Sequence, residues 1–125
     1  PYANRDHEVL PAWREGLAAV AQCPNVYVKL GGIGQPRTGY DWASRDIPIG
    51  SEELSETMAP YMNYVIEQFG PSRCMFESNF PVDKVSFSYN VMYNAFKRMS
   101  KVYSAGERAD MFHDAAVRVY RIDEA

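Results

Sequence analysis

The sequence predicts an α/β fold in which helices alternate with two short parallel strands. Two apolar runs, at residues 26–30 and 73–77, have the length of strands, and the first is β-branched and aromatic. Before each run lies a segment whose apolar residues recur at spacings of three or four, as on one face of a helix. Strands that alternate with helices in this order form a parallel sheet with right-handed crossovers.

The first half of the chain predicts a helix, a strand and a long loop. Asp6 is the predicted N-cap of the helix, but Pro11 lacks the amide donor that a helix interior uses, so the regular helix is expected to begin near Pro11. Gly31 and Gly32 close the strand at residues 26–30. From residue 32 to residue 50 the sequence has no apolar period, which predicts a loop of the length that is usually functional or disordered.

The second half predicts three further helical segments. Ser51 is the predicted N-cap of the first, and Pro60 within its apolar pattern indicates either a kink or two helices. Ser86 is the predicted cap of the next helix. Ser104 followed by Glu107 is a capping box for the last one.

Composition narrows the class of protein. The chain has 125 residues, which predicts one domain at most. Its formal net charge of −3 argues against a nucleic-acid partner, because affinity for a polyanion depends on Lys and Arg. No apolar run approaches the ~18 residues that span a bilayer, and no signal peptide is evident, so we expect a soluble, cytoplasmic protein without a membrane partner. Cys23 and Cys74 are expected to be buried thiols.

Two parallel strands with both edges open make an implausible finished sheet, because parallel strands are normally buried and flanked by others. The chain is therefore expected to be part of something larger. Two alternatives for covering the edges stay open: self-association and pairing with an N-terminal half. A non-enzymatic α/β module that completes its sheet in either way is the alternative to an enzyme.

Three segments resemble the amidohydrolase-2 family, the TIM-barrel metal-dependent hydrolases that include lactonases. They are RCMFESNFPVDK at residues 73–84, PNVYVKLGG at residues 24–32 and AAVRVYR at residues 115–121. The resemblance implies that residues 1–125 are the C-terminal portion of one TIM-barrel domain, a partial (β/α)8 barrel with its last two parallel strands and flanking helices. A whole barrel takes about 250 residues.

The same resemblance implies the activity. The parent protein is expected to hydrolyse a lactone or a related carboxylated compound, and this chain alone is expected to be inactive. The family's N-terminal His-x-His and its mid-barrel histidine have no counterpart here, so we expect no metal site in this chain, whereas the complete family fold can hold a divalent metal, Zn or Mn.

The expected catalytic residues are Asn79, Glu77 and Lys29. The family signature Phe-Gly-Ser-Asp-Trp-Pro has an Asp where this chain has Asn79, and a carboxamide cannot take a proton from water near neutral pH. Glu77 and Asn79 share a face of their strand, and Lys29 lies on the neighbouring one. Lys29 and Glu77 are expected to form an ion pair inside the barrel, serving either packing and register or catalysis, with Glu77 replacing the missing carboxylate.

The long loop supplies the expected substrate-binding residues. Following the seventh barrel strand, this loop would lie at the C-terminal face, where such barrels build their active sites. Arg37 and Arg45 could clamp a carboxylate, and Tyr40 and Trp42 lie between them; alternatively, these residues satisfy one another. Asp83 is expected at the rim or in a solvated pair with its neighbour. The two histidines, His7 and His113, are expected to be surface or helix-packing residues.

Overall fold

A computed structural model describes residues 5–122 and shows helices packed on a small parallel sheet. The helices are α1 (Asp6–Ala21), α2 (Ser51–Phe69), α3 (Tyr89–Met99), α4 (Ala105–Ala109) and α5 (Ala115–Tyr120), and the strands are β1 (Val28–Leu30) and β2 (Cys74–Phe76). Among these residues no helix is both long enough and apolar enough to cross a membrane.

The sheet confirms the predicted parallel pairing. Strand β1 pairs with β2 in the register that sets Lys29 beside Met75 and Leu30 beside Phe76. The ladder extends one step further, because the amide of Glu77 donates to the carbonyl oxygen of Leu30 at 3.1 Å. The carboxyl ends of both strands therefore meet at one edge, which is where the polar residues of the second strand begin.

Both internal prolines lie inside unbroken helices. Helix α1 begins at Asp6 with Arg5 as its N-cap, so the expected start near Pro11 and the expected Asp6 cap are wrong. Helix α2 is a single helix through Pro60, so the two-helix alternative is wrong as well. Both prolines are on exposed faces, where water can bond the carbonyl that lacks an amide partner.

Two predicted caps are displaced by one or two residues. Gly50 is the N-cap of α2, and Ser51 is its first helical residue. Helix α3 is capped by Ser88, whose hydroxyl oxygen accepts from the Val91 amide at 3.2 Å. Ser86 is instead buried and donates its hydroxyl to the loop after β1.

The capping box at the start of α4 is confirmed. The Glu107 amide donates to the Ser104 hydroxyl oxygen at 3.3 Å, and the Ser104 amide donates to the Glu107 carboxylate at 2.8 Å. A π-helical turn at Asp110–Asp114 then joins α4 to α5.

The core lies between the sheet and the helices that follow its strands. Its largest fully buried apolar side chains are Leu54, Met58, Ile66, Met92, Phe96 and Met111. Phe76 stacks on Phe96 with ring centroids 4.5 Å apart, so the helix-facing side of β2 is fixed by aromatic packing. Cys74 is buried as expected, whereas Cys23 is exposed because it follows the last turn of α1, so that half of the cysteine prediction is wrong.

Candidate functional site

The candidate site lies where the carboxyl ends of β1 and β2 adjoin. Gly31 follows β1 directly, and a Cβ added to it would lie 2.2 Å from the carbonyl oxygen of Glu77. Only glycine allows this approach of the two backbones. The next residue, Gly32, has a φ of 77°, and its α-carbon faces both the Glu77 carboxylate and the Asn79 amide.

Glu77 pairs with Lys29 across the two strands. The Lys29 Nζ and Glu77 Oε2 atoms are 3.9 Å apart, at the outer limit of an ion pair. The Lys29 side chain is 54% exposed and that of Glu77 26%, so within this chain the pair is not buried as the barrel interpretation expects. Such an exposed pair contributes little to stability, because water screens it and the long side chains lose entropy.

Asn79 is held by both its backbone and its side chain. Its φ of 52° lies in the left-handed region, which asparagine tolerates better than most residues. The backbone amide donates to Glu77 Oε2 at 3.0 Å, and the side-chain Nδ2 donates to Asp83 Oδ1 at 2.7 Å. Glu77 is therefore fixed from two sides, with its second oxygen, Oε1, near Gly32.

Asp83 is fully buried, so the alternative in which it forms a solvated pair with its neighbour is wrong. Its carboxylate accepts from Asn79 on one oxygen and from the Gly34 backbone amide, at 3.0 Å, on the other. Burial raises the pKa of Asp83, the hydrogen bonds from Asn79 and Gly34 oppose the shift, and the charge of Glu77 adds to it. The turn at Val82–Val85 folds Asp83 back onto the loop after β1.

The sequence offers only a weak indication that Asp83 is buried against the loop after β1. Gly34 has no room for a side chain, since an added Cβ would lie 2.8 Å from Asp83 Cβ. A lone glycine in an irregular loop does not, however, identify its partner.

Tyr93 is a further neighbour that sequence reasoning missed. Burial, a hydrogen bond with Tyr89 and the charges of Tyr89 and Glu77 raise the pKa of Tyr93 to about 12. The phenol therefore stays protonated at neutral pH. Tyr93 is half-buried and packs edge-to-face on Phe96 of α3, and nothing in the helix period indicates that it lies near a carboxylate.

Three of the four loop residues expected to bind substrate contact one another or helix α2. Trp42 is buried and stacks on Tyr40, with centroids 4.3 Å apart and planes 3° from parallel. Arg45 donates to Glu53 of α2 at 2.8 Å. Arg37 is exposed on a short 3₁₀ turn. The structure thus favours the alternative in which Tyr40, Trp42 and Arg45 satisfy neighbours.

A cleft of about 320 Å³ runs beside β1 and includes Lys29. Gly31, Trp13 and Tyr61 also line it. Its size is at the lower end for small-molecule pockets.

The described His, Cys, Asp and Glu side chains do not form a set of ligands for a metal ion. Within residues 5–122 no three His, Cys, Asp or Glu side chains lie close enough to hold one. Both carboxylate oxygens of Asp83 already accept hydrogen bonds. His113 is exposed and contacts Asp114 on the helical segment at the end of the described chain.

Parallel strands with helical crossovers and polar side chains at their carboxyl ends are the arrangement on which α/β enzymes build their sites. The sequence profile of the amidohydrolase family, described as "Amidohydrolase", matches residues 2–122. The chain belongs to the amidohydrolase family.

Relatives with recorded names include two lactonases. The chain is 30% identical over 122 residues to L-fucono-1,5-lactonase of Burkholderia multivorans, covering 97% of this chain and 39% of that protein. It is 25% identical over 104 residues to L-rhamnono-gamma-lactonase of Scheffersomyces stipitis, covering 79% and 29%. A protein of Sinorhizobium fredii with no described function, y4mH, is 39% identical over 110 residues, covering 88% and 33%. The chain thus spans about a third of the length of these relatives.

Solved structures agree with this assignment. A Burkholderia multivorans amidohydrolase crystallised with bound Zn has a TM-score of 0.80 at 28% identity, covering 98% of this chain and 40% of that one. The structure of a Burkholderia multivorans amidohydrolase with bound HEPES gives the same TM-score and identity, covering 96% and 40%.

Proposed function

We propose that residues 1–125 are the C-terminal portion of a TIM-barrel hydrolase that opens a lactone or a related carboxylated compound, and that this portion alone is inactive. The similarity to two lactonases, each matched over less than half of its length, supports this proposal. The observation that carries it is the group of Glu77, Asn79 and Lys29 at the carboxyl ends of paired parallel strands.

In this proposal Glu77 is the proton acceptor. Water attacks the lactone carbonyl carbon, Glu77 takes a proton from that water, and the ring C–O bond breaks. The proton passes to the leaving alkoxide oxygen, so the product is one hydroxy acid and Glu77 returns to its starting state. Glu77 suits the role because Asn79 and Lys29 both contact Oε2, while Oε1 lies near Gly32, which has no side chain.

The ammonium of Lys29 would stabilise negative charge on the carbonyl oxygen, and the Asn79 amide would orient substrate. Arg37 is the loop cation proposed to meet a substrate carboxylate. Tyr40 would shape the site indirectly, because it is stacked on buried Trp42. Arg45 would first have to leave Glu53.

Divalent metal chemistry is not assigned to this segment, because the described residues lack a ligand set. We propose that any Zn or Mn in the complete protein takes its ligands from outside residues 5–122. The zinc bound in the crystallised Burkholderia relative is consistent with a divalent metal in the family.

Reading the gene upstream of the codon for Pro1 tests the proposal. We expect a continuous frame that encodes further strand and helix units, and we expect its product to release acid from aldonolactones in a pH-stat assay. The Glu77→Gln variant should lose at least about 100-fold in kcat, the usual contribution of a general base. A stop codon directly upstream, or an extended protein with unchanged turnover in Glu77→Gln, would contradict the proposal.

We also propose that the outer edges of β1 and β2 are covered by another segment, either the N-terminal half of the longer protein or a second copy of this chain. Each described strand has one partner, which leaves a row of backbone donors and acceptors on its other side. Light scattering on the 125-residue chain tests this: a monomer with a cooperative unfolding transition at low micromolar concentration would contradict it.

A further inference from the structure

The buried carboxylate of Asp83 joins the two loops that leave the paired strands. One oxygen accepts from Gly34 in the loop after β1, and the other accepts from Asn79 in the loop after β2. Asp83 is 0% exposed. Burying a carboxylate is costly unless it is fully hydrogen-bonded, and an apolar side chain could fill the same space without that cost. Packing alone therefore does not explain an aspartate here.

The chemistry of the Asp83 carboxylate and the Asn79 amide determines which of them donates the hydrogen bond. Both Asp83 oxygens accept a hydrogen bond, Oδ1 from Asn79 Nδ2 and Oδ2 from the Gly34 amide, so the Asn79 NH₂ group faces Asp83. The amide is planar, with its nitrogen and oxygen on opposite sides of Cγ, and its Oδ1 is consequently turned away from Asp83. Among residues 5–122 no side chain or backbone amide donates to this oxygen. Asn79 thus offers one acceptor in a fixed orientation.

We propose that Asp83 is a positioning residue that holds the Asn79 amide in the orientation in which its carbonyl oxygen accepts a hydrogen bond from a hydroxyl group of the substrate. This inference rests on the proposed function for its substrate, but the orientation itself is a property of this chain. Glu77 accepts from the Asn79 backbone amide and pairs in turn with Lys29, and the Gly34 amide donates to Asp83.

The amide orientation predicts different outcomes for the two single substitutions Asp83→Asn and Asn79→Asp. In Asp83→Asn the new Oδ1 still accepts from Gly34, but its NH₂ group faces the NH₂ of Asn79, so the Asn79 amide is expected to flip. In Asn79→Asp two carboxylates face each other. In the double substitution Asn79→Asp/Asp83→Asn, the residue 83 amide donates to the residue 79 carboxylate and still accepts from Gly34. Both bonds are restored, and only the one between residues 79 and 83 has its direction reversed.

Nuclear magnetic resonance of the 125-residue chain measures these outcomes without any turnover. In the wild type we expect nuclear Overhauser effects between the Asn79 side-chain amide protons and the Asp83 β-protons. In Asp83→Asn these nuclear Overhauser effects should disappear, and the Asn79 side-chain protons should exchange faster with water. The Gly34 backbone amide should stay protected from hydrogen exchange. In Asn79→Asp the exchange of the Gly34 amide should be at least about tenfold faster, the loss of roughly 1.4 kcal/mol. In the double substitution the exchange rate of the Gly34 amide should return to within about threefold of the wild-type rate.

Asp46→Asn is the matched control, because it makes the same chemical change at an exposed position of the loop after β1 and should leave both signals unchanged. Unchanged Asn79 side-chain signals in Asp83→Asn would overturn the proposal. If Asp83→Asn does not fold, the double substitution decides: a folded chain supports the proposal, and an unfolded one overturns it. A negative lactone assay would not change these spectra, so the proposed function and the proposed role of Asp83 can be refuted independently.

Discussion

Replacing Gly34 by alanine is expected to lower the free energy of unfolding by about 3 kcal/mol. The new Cβ would lie 2.7 Å from Phe87 Cζ and 2.8 Å from both Cβ and Cγ of Asp83, all closer than carbon atoms pack. Overpacking of this kind costs about 1–3 kcal/mol. Moving the loop to relieve it would break the 3.0 Å hydrogen bond from Gly34 to Asp83, and a bond to a charged group is worth about 1.5–3 kcal/mol. One displacement causes both losses, so they overlap rather than add.

Urea denaturation followed by far-ultraviolet circular dichroism measures this loss, provided that the dependence on urea concentration keeps its slope. Gly16→Ala is the control. Gly16 is exposed in the middle of α1 with nothing within 4 Å of an added Cβ, so alanine there should stabilise the chain by about 0.5–1 kcal/mol. A loss below about 1 kcal/mol in Gly34→Ala would refute the close contact between the two loops.

Three further outcomes follow from other contacts. Arg73→Lys should destabilise the chain by about 1–3 kcal/mol in urea denaturation, because the planar guanidinium bonds the carbonyl oxygens of Ala21, Cys23 and Phe69 and an ammonium cannot match that fork. Ser104→Ala should cost roughly 1 kcal/mol. Hydrogen bonds with Ser104 lower the pKa of Glu107, so the contribution of the Glu107 carboxylate is present at neutral pH and is lost as acid protonates it. Equal costs of Ser104→Ala at neutral and at acid pH would contradict this. A thiol reagent should modify exposed Cys23 in the native chain and buried Cys74, whose pKa burial raises to about 12, only after unfolding.

Local patterns predicted most of the secondary structure, because they depend on spacing along the chain. The parallel pairing and the capping box at Ser104 follow from such spacing. Helix starts were less predictable. Pro11 and Pro60 lie inside helices because their faces are exposed and the packing of the other face outweighs the lost hydrogen bond. That balance depends on tertiary contacts, which a local pattern does not contain.

The site was predictable only in part. Strand parity and the resemblance to the amidohydrolase family indicated that Glu77 and Lys29 adjoin, and they are 3.9 Å apart. The burial of Asp83 could not be derived, because it depends on a turn that brings the residue back to Gly34. The same holds for Trp42, whose aromatic neighbours suggested a binding loop but which is buried against Tyr40. Catalytic and substrate-binding roles for these residues stay predictions until turnover is measured.

The separation of the site residues along the chain has a consequence for the order of folding. Gly34 and Asp83 are 49 positions apart, and the Arg73 contact with Ala21 spans 52. Closing loops of this length costs entropy before any of these bonds forms, so the helices can form before the strand ends meet. The exposed stretch between Trp42 and Ile49 lies inside those loops. A single proteolytic cut there would turn the meeting of the two strand ends into a bimolecular event, and recovery of the site after denaturation would then depend on protein concentration.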